Sequence, residues 1–309
     1  FYESAVCMRV RADVGRKKEE DKKMLSYEEF KKEVVEKLIG YLPPQFSDCT
    51  IRVENVPKIN RVMEGFIPEL PAQQQGLAML PVLYFEPFYQ LIQNGAELER
   101  VLAFIAGTIA EYPAPDILTE ASERPKLRKE DAILQVINRR HNAEYLKNLP
   151  HRDFLDLAVI YRLMMRTEDH QIYSAVIDYS MMQDMGLMEE ELFEIARRQM
   201  KQRMPYHMIP VCVPLFAYTN HEYCFGAASI LEKSGISRLA RQLQDDLYIL
   251  PASIHEMMLL PQKAVSYEMA QTMLLKANLE GTDPQEWLSD RVYQYRRADD
   301  QIDFAKPEN

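Results

Sequence analysis

The chain has 309 residues, of which 47% are hydrophobic and 27% are charged, and its formal net charge at pH 7 is −10. This composition excludes disordered and fibrous proteins, and the length is enough for two hydrophobic cores. No basic cluster for phosphate groups is visible, which argues against nucleic acid and anionic membranes as partners.

Short apolar runs and scattered cysteines indicate the cellular setting. The runs at 78–85 and 211–218 are far shorter than the roughly 20 residues that a membrane-spanning helix needs. The first residues lack the pattern of a secretory signal. No C-x-x-C pair occurs, so we expect free thiols in a reducing compartment. Together with the net charge of −10 and the short apolar runs, this predicts a soluble, acidic, cytoplasmic protein. The four cysteines are Cys7, Cys49, Cys212 and Cys224.

The first predicted element is a helix that begins at Ser26. Residues 1–23 are too highly charged to bury a core, so a flexible N-terminal extension is expected there. Ser26 followed by Glu29 is a capping-box pattern, and Gly40 marks the end of the helix. Its apolar positions recur at helical spacing and are Phe30, Val34, Leu38 and Ile39.

A smaller α+β unit is predicted over 24–112, followed by a connection at 113–125. Cys49, Ile51 and Val53 alternate with polar residues, which is typical of a strand with one buried face. The connection contains three prolines and no hydrophobic period, as expected for a linker. The predicted elements are strands at 49–53, 61–67 and 79–85, a turn at 55–60, and helices at 88–93 and 98–109.

A larger α+β domain is predicted over 126–304. The strands at 154–165 and 172–180 flank the polar stretch TEDHQ and should pair antiparallel. This favours mixed or mostly antiparallel sheets with packed helices over a doubly wound parallel sheet. The other predicted strands are 132–138, 209–219, 247–259 and 291–296, and the helices are 142–148 (or a turn), 188–200, 227–243 (one helix or two) and 267–279.

Several segments resemble a known family. They are SYEEFKKEVVEKL, LPVLYFEPFY, RRHNAEYLKNLPHRDFLDLAVIYRL, LFAYTN, GAASIL, YILPASIHEMMLLP and LSDRVYQY. Over residues 24–300 the chain resembles the bacterial family catalogued as domain of unknown function 5688. The spacing of three of these segments is also similar, more loosely, to YtpQ-like proteins. The resemblance supports the fold and implies no activity, cofactor or catalytic residue.

Ser253, His255 and Glu256 are the most suggestive catalytic candidates, with Cys224 as a second nucleophile. As a single strand, YILPASIHEMMLLP places Ser253 and His255 on one face and Glu256 on the other. A nucleophile needs a base within hydrogen-bond reach, and no G-x-S-x-G elbow accompanies these residues. The alternative is that His255 has a structural role, and this alternative is favoured over catalysis.

A metal site could draw on His221 and Cys224, with His207, Glu222 and His255 as further donors. Zinc accepts nitrogen and sulfur ligands, but the chain has no second close pair and no H-E-x-x-H string. We therefore expect no metal. No glycine-rich phosphate loop occurs either, so no cofactor is expected.

Two functions remain open. The favoured one is a cytoplasmic binding or adaptor protein without catalytic activity, whose partner is a protein or a small molecule. The alternative is a hydrolase-like enzyme that uses Ser253 or Cys224 with His255. A ligand site is expected in a cleft between the two units, near 113–125 and the His255 strand, because ligands favour domain interfaces.

Overall fold

The computed structural model describes residues 25–69, 82–110, 128–166 and 172–307. These residues form a larger unit, Ile59–Arg61 with 128–307, and a smaller unit, 25–58 with 62–110. Both combine helices with mostly antiparallel sheet, which confirms the predicted α+β class. The predicted extension at 1–23 and connection at 113–125 lie outside the described residues and stay predictions.

The smaller unit begins with helix α1 (Tyr27–Lys37), whose predicted N-terminal cap is confirmed. The Ser26 N–H donates to Glu29 Oε2 at 2.8 Å, and the Glu29 N–H donates to Ser26 Oγ at 3.3 Å. These reciprocal bonds satisfy amides that the first helical turn leaves without partners. Two short 3₁₀ turns, Leu38–Tyr41 and Pro44–Phe46, follow the helix.

A three-stranded sheet in the order β1–β2–β3 follows, formed by β1 (Thr50–Lys58), β2 (Arg61–Glu69) and β3 (Leu83–Tyr84). The predicted turn at 55–60 is wrong, because β1 continues through Lys58 and only two residues connect it to β2. One of them, Asn60, has a φ of 61°. Asparagine tolerates this left-handed conformation, so a two-residue turn is sufficient here.

Two helices complete the smaller unit and enclose its core. They are α2 (Phe85–Gln93) and α3 (Leu98–Ala110), which confirms both predicted helices, although α2 begins earlier than expected. Of the predicted strand at 79–85, the described part forms only β3, and its end becomes the start of α2. The largest buried side chains of this core are Phe30, Phe46, Phe66, Phe85, Phe88, Leu38, Leu102 and Ile105.

The larger unit contains a four-stranded antiparallel sheet centred on one strand. Its members are β4 (Ala132–Asn138), β5 (His151–Phe154), β6 (Leu157–Arg166) and β7 (Ile172–Val176). β4 pairs with one edge of β6, and β5 and β7 share the other edge. The predicted antiparallel pairing of the strands at 154–165 and 172–180 is confirmed by β6 and β7, in whose register Leu163 faces Ala175. The predicted strand at 172–180 ends early, because Asp178 caps a short helix, α5 (Tyr179–Asp184).

A six-stranded antiparallel sheet forms the rest of the larger unit, in the order β13–β12–β10–β11–β9–β8. The predicted single strands at 209–219 and 247–259 are wrong, because each is a hairpin of two strands. A tight turn needs few polar residues, so it is difficult to recognise within a nearly continuous apolar run. The strands are β8 (Tyr206–Cys212), β9 (Leu215–Asn220), β10 (Leu247–Ser253), β11 (Glu256–Pro261), β12 (Tyr293–Arg296) and β13 (Gln301–Phe304).

Apart from α5, which falls partly on a predicted strand, the α-helices of the larger unit lie at the predicted positions. The predicted helix at 227–243 is two pieces, a 3₁₀ segment (Gly226–Leu231) and an α-helix (Ser234–Leu243). No helix among the described residues is long and apolar enough to cross a membrane. The α-helices after α5 are α6 (Glu189–Arg203), α7 (Ser234–Leu243) and α8 (Tyr267–Glu280), and a short α4 (Ala143–Leu146) precedes β5.

The centre of the six-stranded sheet is buried on both faces. Leu247 and Ile249 of β10 join the main core, whereas Tyr248 and Leu250 join a second core with α8. Side chains alternate between the two faces of a strand, so a strand covered on both sides must be apolar at successive positions. This double burial explains the unbroken apolar sequence of β10.

The start of α6 is attached to the four-stranded sheet through Glu189. Arg152 on β5 donates to both carboxylate oxygens of Glu189, at 2.7 and 2.9 Å, and the Tyr161 hydroxyl donates to the same carboxylate. Burial acts to raise the pKa of Glu189, but the bonds from Arg152 and Tyr161 outweigh burial and lower it below 4.5. The folded state therefore favours the ionised carboxylate.

We expect Glu189→Gln to reduce the acid sensitivity of the larger unit. A lowered folded-state pKa contributes stability above the unfolded pKa, and this contribution is lost as the pH falls through the folded pKa. The variant should be less stable than the wild type by about 1 kcal/mol near pH 7, and the difference should shrink as the pH falls through the lowered pKa of Glu189. Urea unfolding of both proteins at several pH values measures this difference in stability. The exposed Glu194→Gln is the control, and an equal pH profile for both variants would contradict the prediction.

Candidate functional site

The turn of the β10–β11 hairpin carries the residues that were predicted to be catalytic. Ser253 ends β10 and is paired with Glu256, the first residue of β11, so His255 lies in the turn between them. The strand alternation assumed for these residues is therefore wrong. The Ser253 hydroxyl accepts a hydrogen bond from the backbone N–H of His255 at 3.1 Å, as in a local turn.

Both nitrogens of the His255 ring have partners. Nδ1 accepts from the backbone N–H of Phe225 at 3.3 Å, and Nε2 lies 3.2 Å from Glu286 Oε1. The ring also stacks on Phe225, with the centroids 6.0 Å apart. With Nδ1 accepting, the proton is on Nε2 and is donated to the carboxylate. This arrangement holds the histidine in one orientation.

The structure does not join His255 to either predicted nucleophile. Among the described residues, the ring partners are a backbone amide and a carboxylate, not Ser253 or Cys224. Burial raises the pKa of the Cys224 thiol, and nearby Arg162 only partly opposes this shift. A thiol that remains protonated at neutral pH is a weak nucleophile. Neither triad-like arrangement is formed.

The 3₁₀ segment Gly226–Leu231 packs directly on this turn. The Ala227 N–H donates to Ile254 O at 3.2 Å, and the Thr219 hydroxyl donates to His255 O at 2.8 Å. A Cβ at position 226 would lie closer than 3.0 Å to Thr219 Oγ1 and His255 O, so only glycine fits. Phe225 before it has a φ of 53°, which turns the chain into the segment.

Arg162 is a buried cation beside this turn that the sequence did not single out. Its side chain donates to Gln135 Oε1 at 3.0 Å and to Ser174 Oγ at 2.9 Å, and its guanidinium lies 4.7 Å from the centre of the Phe225 ring. Arg162 is 6% exposed and Gln135 is fully buried. A charged residue in the middle of the mostly apolar strand β6 was the available signal for this cluster.

The residues proposed as metal ligands are only partly brought together. The rings of His207 and His221 lie 4.7 Å apart, because β8 and β9 are neighbours. In the parts of the chain that the structure describes, no three His, Cys, Asp or Glu side chains are grouped as a metal site requires. Cys224 and His255 lie instead beside Phe225, in the cluster described above.

A pocket of about 230 Å³ opens on the larger unit and is here called the α6 pocket. It lies between the C-terminal half of α6, the segment Gly226–Leu231 and the start of β8. The α6 pocket has no signal in the sequence, because its residues are far apart in the chain and mostly apolar. Its apolar wall consists of Leu134, Met200, Met204, Pro205, Ala228 and Leu231.

Most polar residues of the α6 pocket are at least partly exposed. Arg197 and Lys201 project from α6, and Lys201 forms an ion pair of 2.6 Å with Glu232. Ser229 is buried, and its hydroxyl donates to Thr219 O at 3.0 Å. Of the described residues that line the pocket, none is a cysteine, a histidine or an aspartate. The predicted site beside 113–125 falls on residues outside the described ones.

Comparison with known proteins places the chain in a family but not in a functional class. A search of curated proteins and a search of solved structures returned no match. The model of a family of unknown function, DUF5688, matches residues 27–212 and 207–297. These matches cover most of the chain and confirm the predicted resemblance to this family, whereas the looser similarity to YtpQ-like proteins stays a prediction. The chain belongs to the DUF5688 family.

Proposed function

We propose that the protein is a cytoplasmic bacterial binding protein without catalytic activity, and that the α6 pocket holds its small-molecule ligand. The observation that carries the proposal is the pocket itself, a mostly apolar cavity with a few polar groups in its lining. Ligand sites in proteins usually have this composition. Its volume of about 230 Å³ suits a ring or a short branched chain.

The lining of the pocket supports binding without chemistry. Nucleophilic catalysis needs a hydroxyl or thiol next to a base. The Ser229 hydroxyl is already used by a backbone carbonyl, and the Glu232 carboxylate is paired with Lys201. Burial acts to raise the pKa of Glu232, but the bonds from Lys201 and Ser234 outweigh it and lower the pKa. Glu232 is therefore a poor base at neutral pH.

The alternative of a hydrolase-like enzyme has less support. Its base, His255, is engaged at both ring nitrogens, and the pKa of its best nucleophile, Cys224, is raised by burial. Hydrolysis of a p-nitrophenyl ester by the wild type that is lost in His255→Ala and kept in His141→Ala would support this alternative instead.

A thermal-shift screen with small apolar and amphipathic compounds tests the proposed function. We expect at least one class of compound to stabilise the full chain and to have no effect on Leu231→Trp, because the indole fills the pocket. Leu243→Trp introduces the same side chain on α7 at a position that does not line the pocket, and should respond like the wild type. Equal stabilisation of all three proteins would refute the proposal.

A further inference from the structure

One face of α6 carries both apolar and cationic residues into the α6 pocket. Arg197, Met200 and Lys201 of α6 and Met204, the residue after its last turn, are spaced i, i+3, i+4 and i+7, so they lie on one side of the C-terminal end of the helix. Met200 and Met204 are buried, whereas the side chains of Arg197 and Lys201 are about half exposed, at 46% and 52%. The pocket therefore has an apolar inner end and a cationic mouth.

The charge at this mouth is opposite to that of the whole chain. The charged residues of the lining are two cations and one carboxylate, in a protein with a formal net charge of −10. Lys201 is held by Glu232 at 2.6 Å, but Arg197 is 3.8 Å from Glu194, and both of these groups are exposed. An exposed ion pair of this length contributes little, so the guanidinium of Arg197 can accept another anion.

We infer that the α6 pocket binds small monoanionic ligands, with an aromatic or aliphatic body against Met200 and Met204 and a carboxylate on Arg197. This inference rests on the proposed function. Guanidinium and carboxylate form paired, charge-assisted hydrogen bonds, which suits a planar acid. Glu232 at the same mouth repels a second negative charge, so a dianion such as a phosphate monoester should bind less well.

Isothermal titration of the full chain with matched probes tests the ligand class. The probes are 3-phenylpropionate, its primary amide, phenyl phosphate and acetate. We expect the acid to bind about tenfold more tightly than the amide, phenyl phosphate to bind more weakly than the acid, and acetate to show no binding. Arg197→Gln should remove the preference for the acid and leave the affinity for the amide unchanged.

Arg198→Gln is the matched control, because this substitution makes the same charge change on the same helix and Arg198 does not line the pocket. It should keep the preference for the acid. If the acid and the amide bind equally well and Arg197→Gln changes neither affinity, pocket binding stands and the ligand class is overturned. If neither probe binds the wild type and no compound in the thermal screen distinguishes Leu231→Trp, the proposed function itself fails. Tighter binding of phenyl phosphate than of the acid would also overturn the inference.

Discussion

Gly226→Ala is expected to destabilise the larger unit by about 3 kcal/mol. The new methyl group would lie closer than 3.0 Å to Thr219 Oγ1, His255 O and Asn220 N. Two of these are backbone atoms, which cannot rotate away as the end of a flexible side chain can. The 3₁₀ segment would have to move off the β10–β11 turn, and the bond from Ala227 N–H to Ile254 O would be lost.

Urea unfolding monitored by tryptophan fluorescence measures this effect, because the only tryptophan, Trp287, belongs to the larger unit. Gly281→Ala is the control in the same unit. Its Cβ would have Ala277 O at 3.3 Å as its nearest neighbour, and its φ of −122° is accessible to alanine. We expect a change of less than about 0.5 kcal/mol there. Equal losses in the two variants would contradict the steric argument.

Arg162→Met is expected to destabilise the larger unit by about 3 kcal/mol, although methionine keeps most of the apolar stem of the arginine side chain. The substitution leaves Gln135 Oε1 and Ser174 Oγ without the guanidinium that donates to them. It also removes the cation from the face of Phe225, the residue that donates its N–H to His255. Buried polar groups that lose a partner incur their full desolvation cost.

A double-mutant cycle identifies the cause of this loss. Gln135→Leu in the Arg162→Met background should recover about 1 kcal/mol or more, because the amide is fully buried and its Nε2 has no partner among the described residues. Urea unfolding of the four proteins gives the coupling energy. The control is Arg139→Met at an exposed position, which removes a surface ion pair with Asp153. The stability of this variant should stay within about 0.5 kcal/mol of the wild type. Purely additive effects would exclude the proposed coupling.

Local signals in the sequence were enough to predict most helices. The capping box of Ser26 and Glu29 fixed the start of α1, and the apolar stripe ending at Met200 located α6. These signals depend on residues within one or two helical turns, and therefore they do not require knowledge of the tertiary structure.

The hairpins were harder to predict, for a physical reason. In β10 and β11 both faces of the sheet are buried, so no polar alternation marks the strands. The polar residues at the reversal, Ser253, His255 and Glu256, were interpreted as catalytic candidates within one strand and not as a turn. The β5–β6 turn is similarly compact, with Leu155 at a φ of 54° instead of a glycine. Turns of this kind are specified by packing more than by turn residues.

The candidate site was only partly accessible from the sequence. His255 was singled out correctly as a polar residue in an apolar segment, but its partners, Phe225 and Glu286, lie 30 and 31 positions away. The α6 pocket combines residues from β4, α6 and the 3₁₀ segment, none of which has a recognisable motif. Long-range packing decides both arrangements.

The position of β8 at the end of the six-stranded sheet has a consequence for association between copies of the chain. An outermost strand usually offers free amide groups to a neighbouring molecule, and here Val211 in the strand and Val213 just after it are exposed, at 55% and 87%. Pro210 lies within this strand, and the register shifts between it and Cys212. Proline has no N–H to donate, and an irregular register prevents a continuous ladder. We therefore expect β8 to resist edge-to-edge aggregation without needing a charged residue on its rim.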